Sequence, residues 1–334
     1  MRAKAIPKPA KGHYPLRKNS SIDKWRRPRR FTLPAFPFIL PGVKNYFKSR
    51  YCPSCGKPVD PTSPCCPYCF APSPDPYVKR TYGNFLQVSI YKQIGFLALS
   101  LLGLSLIMLI VQAILLAINA PADLDGYNEY IASGEFGILY LSISYCLAGV
   151  AAGLLLWKDW EKLIRSFAKW KNVLVGIGFA AIIIVATVAY GMLVTNPVYE
   201  ALGVDSGTTN ANQGALNSAI LASPVLSCFI LSIVGPFCEE LGYRVGLFGL
   251  SSRLGKVAGY IITIVVFALI HVSFSWDNAT EMAVELVNLP SYLIGGVLLT
   301  LAYDKFGFPC SFSAHALYNL FSVLMNYASL RSGL

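Results

Sequence analysis

Glu239 and Glu240 stand side by side at the end of a long uncharged run, and Arg244 follows Glu240 by four residues. Two of the three histidines, His271 and His315, also fall in apolar runs, with Phe267 four residues before the first and Asn319 four residues after the second. On a helix, residues four apart share a face, so each pair presents two groups to one neighbour. The chemistry that such a set supports is hydrolysis. A carboxylate in a partly dry cavity acts as a general base on water, and a neighbouring imidazole orients that water. A second imidazole and an amide N–H stabilise a tetrahedral oxyanion. Arg244 holds one glutamate ionised, which leaves the other as the base. Seen singly, Glu240 with Arg244 also reads as a structural ion pair, and either histidine as a hydrogen-bonded core residue. Their joint occurrence favours a site.

A second cluster is built from sulfur. Cys52-Pro53-Ser54-Cys55 and Cys66-Pro67-Tyr68-Cys69 form two C-x-x-C knuckles separated by ten residues. Four thiolates paired in this way suit tetrahedral Zn²⁺, and the segment resembles a short zinc ribbon. Cys65 is an alternative to Cys66 as a ligand, a redox pair is the competing reading, and Phe70 stands where a glycine usually follows the second knuckle. Cys146, Cys228, Cys238 and Cys310 read as small apolar packing residues.

The elements that must carry the first cluster are membrane helices. Of 334 residues, 54% are hydrophobic and only 13% charged, where soluble domains carry about a quarter. Seven stretches of 18 residues or more lack Asp, Glu, Lys and Arg: 93–122, 136–157, 173–199, 206–238, 257–276, 286–303 and 306–330. Each is long enough for a span of about 20 residues. The expected fold is therefore all-α, a polytopic helical membrane protein of about seven transmembrane helices preceded by a zinc ribbon. Residues 1–50 read as a basic, disordered or interfacial arm, 51–70 as the ribbon, 71–92 as a linker and 93–330 as the transmembrane domain. The stretch 215–250 is helix-like but too long for one span, so Pro224 or Gly235-Pro236 must break it.

Charge sets the expected orientation. Residues 1–92 hold 18 Lys and Arg against Asp23, Asp60 and Asp75. The inter-span loops then alternate between carboxylates alone (Asp123, Asp125, Glu129, Glu135) and a basic set (Lys158, Lys162, Arg165, Lys169, Lys171). Basic loops stay cytoplasmic. This places the N-terminus and ribbon inside and the C-terminus outside, in the cell membrane. No secretory signal fits residues 1–30. The basic arm is better read as marking orientation and attracting anionic lipid than as binding nucleic acid. Around a turn centred on Gly255, Glu239 and His271 each lie 16 residues away, about 24 Å along antiparallel helices. His315 and Asn319 fall in the same slab.

Glu239-Glu240-x-x-x-Arg244, Phe267-x-x-x-His271 and His315-x-x-x-Asn319, in this order on successive spans, resemble the CPBP family of CAAX-protease and bacteriocin-processing-like intramembrane proteins, also called Abi. The likeness covers about residues 215–330. It implies that Glu239 with His271 activates water, that Glu240 and Arg244 support them, that Phe267 lines the site, and that His315 and Asn319 stabilise the oxyanion. Val245 stands where the family commonly has glycine. The family's metalloprotease label keeps a catalytic zinc on Glu239, His271 and His315 open, but no H-E-x-x-H is present and a glutamate-activated water is preferred. The implied function is an intramembrane endopeptidase acting on a membrane-associated peptide or protein. A non-catalytic scaffold or bacteriocin-immunity protein is the alternative. A transporter is a third reading, although the internal repeats that often mark transporters are not found.

Overall fold

The computed structural model describes residues 51, 52, 57, 58, 66, 84–121, 123–205 and 208–332. The expected arm, most of the ribbon and most of the linker lie outside the described residues. Of the knuckle cysteines, Cys52 and Cys66 are described and both are buried. The backbone closes across the first knuckle: Tyr51 and Pro58 form an isolated antiparallel bridge, and the Cys52 N–H donates to the Lys57 carbonyl at 2.9 Å.

From residue 90 the described chain is helical. The order is α1 (Ile90–Asn119), α2 (Leu124–Ala132), α3 (Gly134–Leu155), α4 (Trp160–Phe167), α5 (Trp170–Leu202), α6 (Ala211–Ala222), α7 (Pro224–Leu254), α8 (Lys256–Leu269), α9 (Ala279–Phe306) and α10 (Phe308–Ser332). Among the described residues, five helices are long and apolar enough to cross a membrane: α1, α3, α5, α7 and α9. Their outward faces, such as Leu102, Leu106, Leu109 and Ile110 on α1, are exposed hydrocarbon. This is a polytopic helical membrane protein associated with the lipid bilayer.

Two of the seven expected spans depart from this pattern for physical reasons. α8 has 14 residues, about 21 Å of helix against a hydrocarbon core of about 30 Å. The chain after Ile270 runs without helix to Asn278, so the expected span at 257–276 is half helix and half irregular. α10 is long enough but carries Ser311, Ser313, His315, Asn319, Ser322 and Asn326, which lowers its hydropathy. The expected span at 206–238 is also divided. α6 ends at Ser223 (φ −151°, ψ 84°), and Pro224 opens α7, where its missing N–H costs nothing. Of the two candidate breaks, Pro224 is the real one. The helix continues through Gly235-Pro236 because Ile230–Val234 winds as a wide π turn just before it, a form that relieves a proline clash.

α7 lies at the centre of the bundle. A stripe of Gly242, Gly246 and Gly249 faces α1: a Cβ at Gly242 would overlap the Ser100 side chain, and one at Gly246 would lie 2.9 Å from the Gln93 carbonyl oxygen. Small residues at this spacing let two membrane helices approach closely. Gly176 does the same for α5 against Cys310 and Ser313 of α10.

The helix ends bearing lysine and arginine converge. Asn84 Nδ2 donates to the Lys305 carbonyl at 2.6 Å, Arg253 to Gln93 Oε1 at 2.9 Å and Asn172 Nδ2 to the Phe306 carbonyl at 2.6 Å, while Lys256 pairs with Asp304. Residues 84–89, expected to be linker, are part of this seal: Phe85, Leu86 and Val88 are buried with Phe248, Tyr303 and Phe308. Ser89 caps α1, so that helix begins three residues before the expected span.

Asp159, in the turn between α3 and α4, holds Lys92 at 2.5 Å and Lys162 at 2.6 Å. Burial alone pushes its carboxyl upward, but the hydrogen bonds and charges of Lys162 and Lys92 more than offset this and hold it below the usual range. A carboxylate depressed in the folded state contributes stability above its unfolded pKa of about 4 and loses it as pH falls through the lower folded value. Asp159→Asn should therefore lower the melting temperature of detergent-solubilised protein at pH 7 by about 2–4 °C. The gap to wild type should close towards pH 3. A gap of unchanged size at pH 3 means that packing, not charge, is what Asp159 contributes.

Candidate functional site

α7 presents two glutamates to different surroundings. Glu240 and Arg244 have no exposed side-chain surface, and Arg244 Nε lies 3.5 Å from Glu240 Oε2. The Arg244 guanidinium sits 4.3 Å from the centre of the Phe267 ring, so α8 covers it with a π face. The other Glu240 oxygen meets His315 Nδ1 of α10 at 2.9 Å. A carboxylate cannot donate while ionised, so His315 carries its proton on Nδ1.

Glu239 instead lines a cavity of about 430 Å³. Its side chain is 16% exposed; Oε2 lies 3.8 Å from His315 Nε2, and Oε1 accepts from the Tyr145 hydroxyl at 3.3 Å. His271, just past the end of α8, lines the same cavity, as do His315, Asn319 and Phe267. His271 Nδ1 lies 2.7 Å from the Phe267 carbonyl oxygen. That oxygen only accepts, so Nδ1 holds the hydrogen and Nε2 is left as an acceptor. Asn319 Nδ2 donates one hydrogen to the Leu231 carbonyl at 2.8 Å, inside the π turn of α7, which leaves a second amide hydrogen. Glu239, His271, His315, Asn319 and Phe267 therefore line one cavity, with Glu240 and Arg244 directly behind it.

The sequence reading missed the residues that brace this set. Tyr292 of α9 stacks on His271, ring centres 4.6 Å apart and planes 17° from parallel. Its hydroxyl accepts from Asn210 Nδ2 at 3.0 Å and Asn212 Nδ2 at 3.2 Å, at the start of α6. Glu285, buried one helical stretch away on α9, accepts from the Ala211 N–H at 2.8 Å and the Ser273 N–H at 3.2 Å. It thus ties the irregular segment after His271 to α6. Aromatic residues in apolar runs carry no signal of their own. Glu285 does carry one as a carboxylate, but in the sequence it reads as the last of three, after Asp277 and Glu281, that separate two uncharged runs.

Among the described residues no three of His, Cys, Asp and Glu converge as metal ligands. Both site histidines already commit Nδ1, one to a carbonyl and one to Glu240.

Residues 221–321 match the family described as Type II CAAX prenyl endopeptidase Rce1-like. An uncharacterized protein of Mycoplasma capricolum subsp. capricolum is 25% identical over 224 residues, covering 64% of this chain and 62% of that protein. The UPF0177 protein YxdF of Lactococcus lactis subsp. lactis is 33% identical over 125 residues, covering 37% of this chain and 61% of its own length. The chain thus spans about three fifths of the length of these relatives. No solved structure matches. The matched stretch runs from the end of α6 through Asn319, so the CAAX-protease-like part of this membrane protein contains the whole cluster.

Removing one partner of a buried ion pair leaves the other uncompensated, at a cost of about 3–5 kcal/mol. Arg244→Met should therefore lower the unfolding free energy by that order. Adding Glu240→Gln should recover part of the loss, since the stranded charge is then gone. Unfolding of the four proteins in one detergent measures this. A double variant less stable than Arg244→Met by the full cost of Glu240→Gln alone would show that the two side chains act independently.

Proposed function

We propose that the protein is an intramembrane endopeptidase that hydrolyses a peptide bond of a membrane-associated substrate with water activated by Glu239. The observation that carries this is the division of labour between adjacent acids: Glu239 faces the cavity, while Glu240 is sealed behind it against Arg244 and His315. A base must reach its water, and only the first can. In this reading Glu239 takes a proton from water as the oxygen attacks the scissile carbonyl carbon, and His271 Nε2 accepts the other water hydrogen and fixes its direction. The second amide hydrogen of Asn319 faces the oxyanion, joined by His315 in its doubly protonated form, with Nδ1–H on Glu240 and Nε2–H left to donate. Glu239 then returns its proton to the departing amine as the C–N bond breaks. The likeness to CAAX prenyl endopeptidases supports peptide hydrolysis as the reaction class.

Glu239→Gln keeps the shape and removes the base, so cleavage of a membrane-tethered reporter peptide by purified protein should fall by about 10²–10⁴. Asn319→Ala should cost about 10²–10³, and Glu240→Gln less than Glu239→Gln. Wild-type cleavage by Glu239→Gln would end the proteolytic reading in favour of a non-catalytic scaffold.

We also propose that Cys52, Cys55, Cys66 and Cys69 hold one structural zinc. Burial of Cys52 and Cys66 and the closure of the backbone between Tyr51 and Pro58 support it; Cys55 and Cys69 lie outside the described residues. Metal analysis should find about one zinc per chain, lost in Cys52→Ser, with cleavage by the membrane domain retained. Cleavage abolished by chelator in Cys52→Ser and restored by zinc would instead place a working metal at Glu239.

A further inference from the structure

The cavity lining extends from Glu239, His315 and Leu299 past Ser322 and Asn288 to Thr209 and Gln213 at the start of α6, where Thr209 is exposed. Among the described residues no lysine or arginine lines it, and none of those joining the basic helix ends does. Beneath Glu239 the bundle is closed by Glu240, Arg244, Phe248 and Tyr303, each 1% exposed or less. The mouth therefore lies at the end of the bundle that carries Asp123, Asp125, Glu129, Glu135, Glu200, Asp205, Asp277 and Glu281. Arg331 is the one cation there among the described residues.

We infer that the substrate reaches Glu239 from this acidic end, on the side of the membrane away from the cytoplasm, and that it is an extended peptide segment of neutral or basic character. This rests on the hydrolytic reading of Glu239. Orientation follows from the basic loops, which remain cytoplasmic. The chemical class follows from the walls. A peptide drawn out of water must find partners for both N–H and C=O groups, and amide and hydroxyl side chains supply donors and acceptors together. Asn196, Asn210, Asn212, Gln213 and Asn326 provide such groups in the cavity wall, and Asn288, whose amide hydrogens go to the Tyr199 hydroxyl and the Val284 carbonyl, adds an acceptor. The charge preference follows from the rim. Glu281 lies one turn before Glu285, whose carboxylate holds the start of α6, so its charge stands beside the mouth. Walls of low dielectric constant focus such a field. An acidic segment is repelled and a basic one drawn in.

The test needs no knowledge of the natural substrate. Thr209→Cys at the rim and Ser322→Cys further down are made separately in the full chain and compared with wild type for background. Two membrane-impermeant methanethiosulfonates serve as probes, a trimethylammonium cation and a sulfonate anion, applied to intact cells and to inside-out vesicles. Both positions should react in intact cells. Relative to its rate with a free small thiol, the cation should be favoured over the anion several-fold at Ser322→Cys, and Glu281→Gln or high ionic strength should reduce that preference. Reaction confined to inside-out vesicles, no reaction in either preparation, or preference for the anion would overturn the inference. Labelling does not depend on catalysis. A cleavage-competent Glu239→Gln protein would thus remove the hydrolytic reading while leaving the side of access decided, and an inactive one with labelling on the wrong side would do the reverse.

Discussion

Glu240 and Arg244 of α7 lie wholly out of contact with solvent. Taking each charge from water costs several kcal/mol, and their mutual attraction offsets this only with further partners. Those partners come from two other helices: His315 from α10 and the Phe267 ring from α8. One ion pair therefore fixes the mutual placement of α7, α8 and α10. The same placement brings Glu239, His271 and Asn319 to one cavity, because each is within a turn or so of a residue that touches the pair. The glycine stripe on α7 belongs to this requirement as well. α1 must approach closely enough to exclude water from Glu240 and Arg244, and Gly242, Gly246 and Gly249 allow it.

α7 satisfies these demands by departing from regular α geometry twice. It is π-helical over Ile230–Val234 and again over Glu240–Phe248, with the α-helical stretch Gly235–Glu239 between. Each extra residue rotates the downstream helix by about 100° relative to an unbroken α-helix. The first wide turn frees the Leu231 carbonyl to accept from Asn319, and it precedes the proline that would otherwise disrupt the ladder. The second begins at the buried glutamate. Irregular winding therefore occurs where side chains must be aimed.

Winding and burial together explain which features the sequence made legible. Spans and the ordered pairs Glu240–Arg244, Phe267–His271 and His315–Asn319 were legible because charge and imidazole are rare in apolar runs and because spacing by four survives small changes of winding. Glu240 is buried against Arg244 while Glu239 faces the cavity, and the proposed roles of supporting acid and base rest on that difference. Tyr145, Tyr292 and the asparagines of α6 were not legible. The hydrogen bonds of the Tyr145 and Tyr292 hydroxyls link residues 80 to 94 positions apart, as with Tyr145 to Glu239 and Asn210 to Tyr292, and no local pattern encodes such a pairing. The half-length of α8 was hidden for a related reason. Residues 257–276 are uncharged throughout, and hydropathy alone does not distinguish a helix from irregular chain sheltered by protein.

That irregular chain is the least expected part of the site. Non-helical backbone at membrane depth is tolerated only where protein or a water-filled cavity satisfies its polar groups. Glu285 does so for the Ser273 N–H while its other oxygen takes the N–H of Ala211, the first residue of α6. Stopping α8 early puts His271 at the cavity instead of on a continuous helix face. The irregular segment that follows would leave backbone N–H groups without partners, and Glu285 supplies one such partner while holding the start of α6, whose first residues line the same cavity. A buried carboxylate outside the cavity is thus a consequence of the short helix that brings His271 into it.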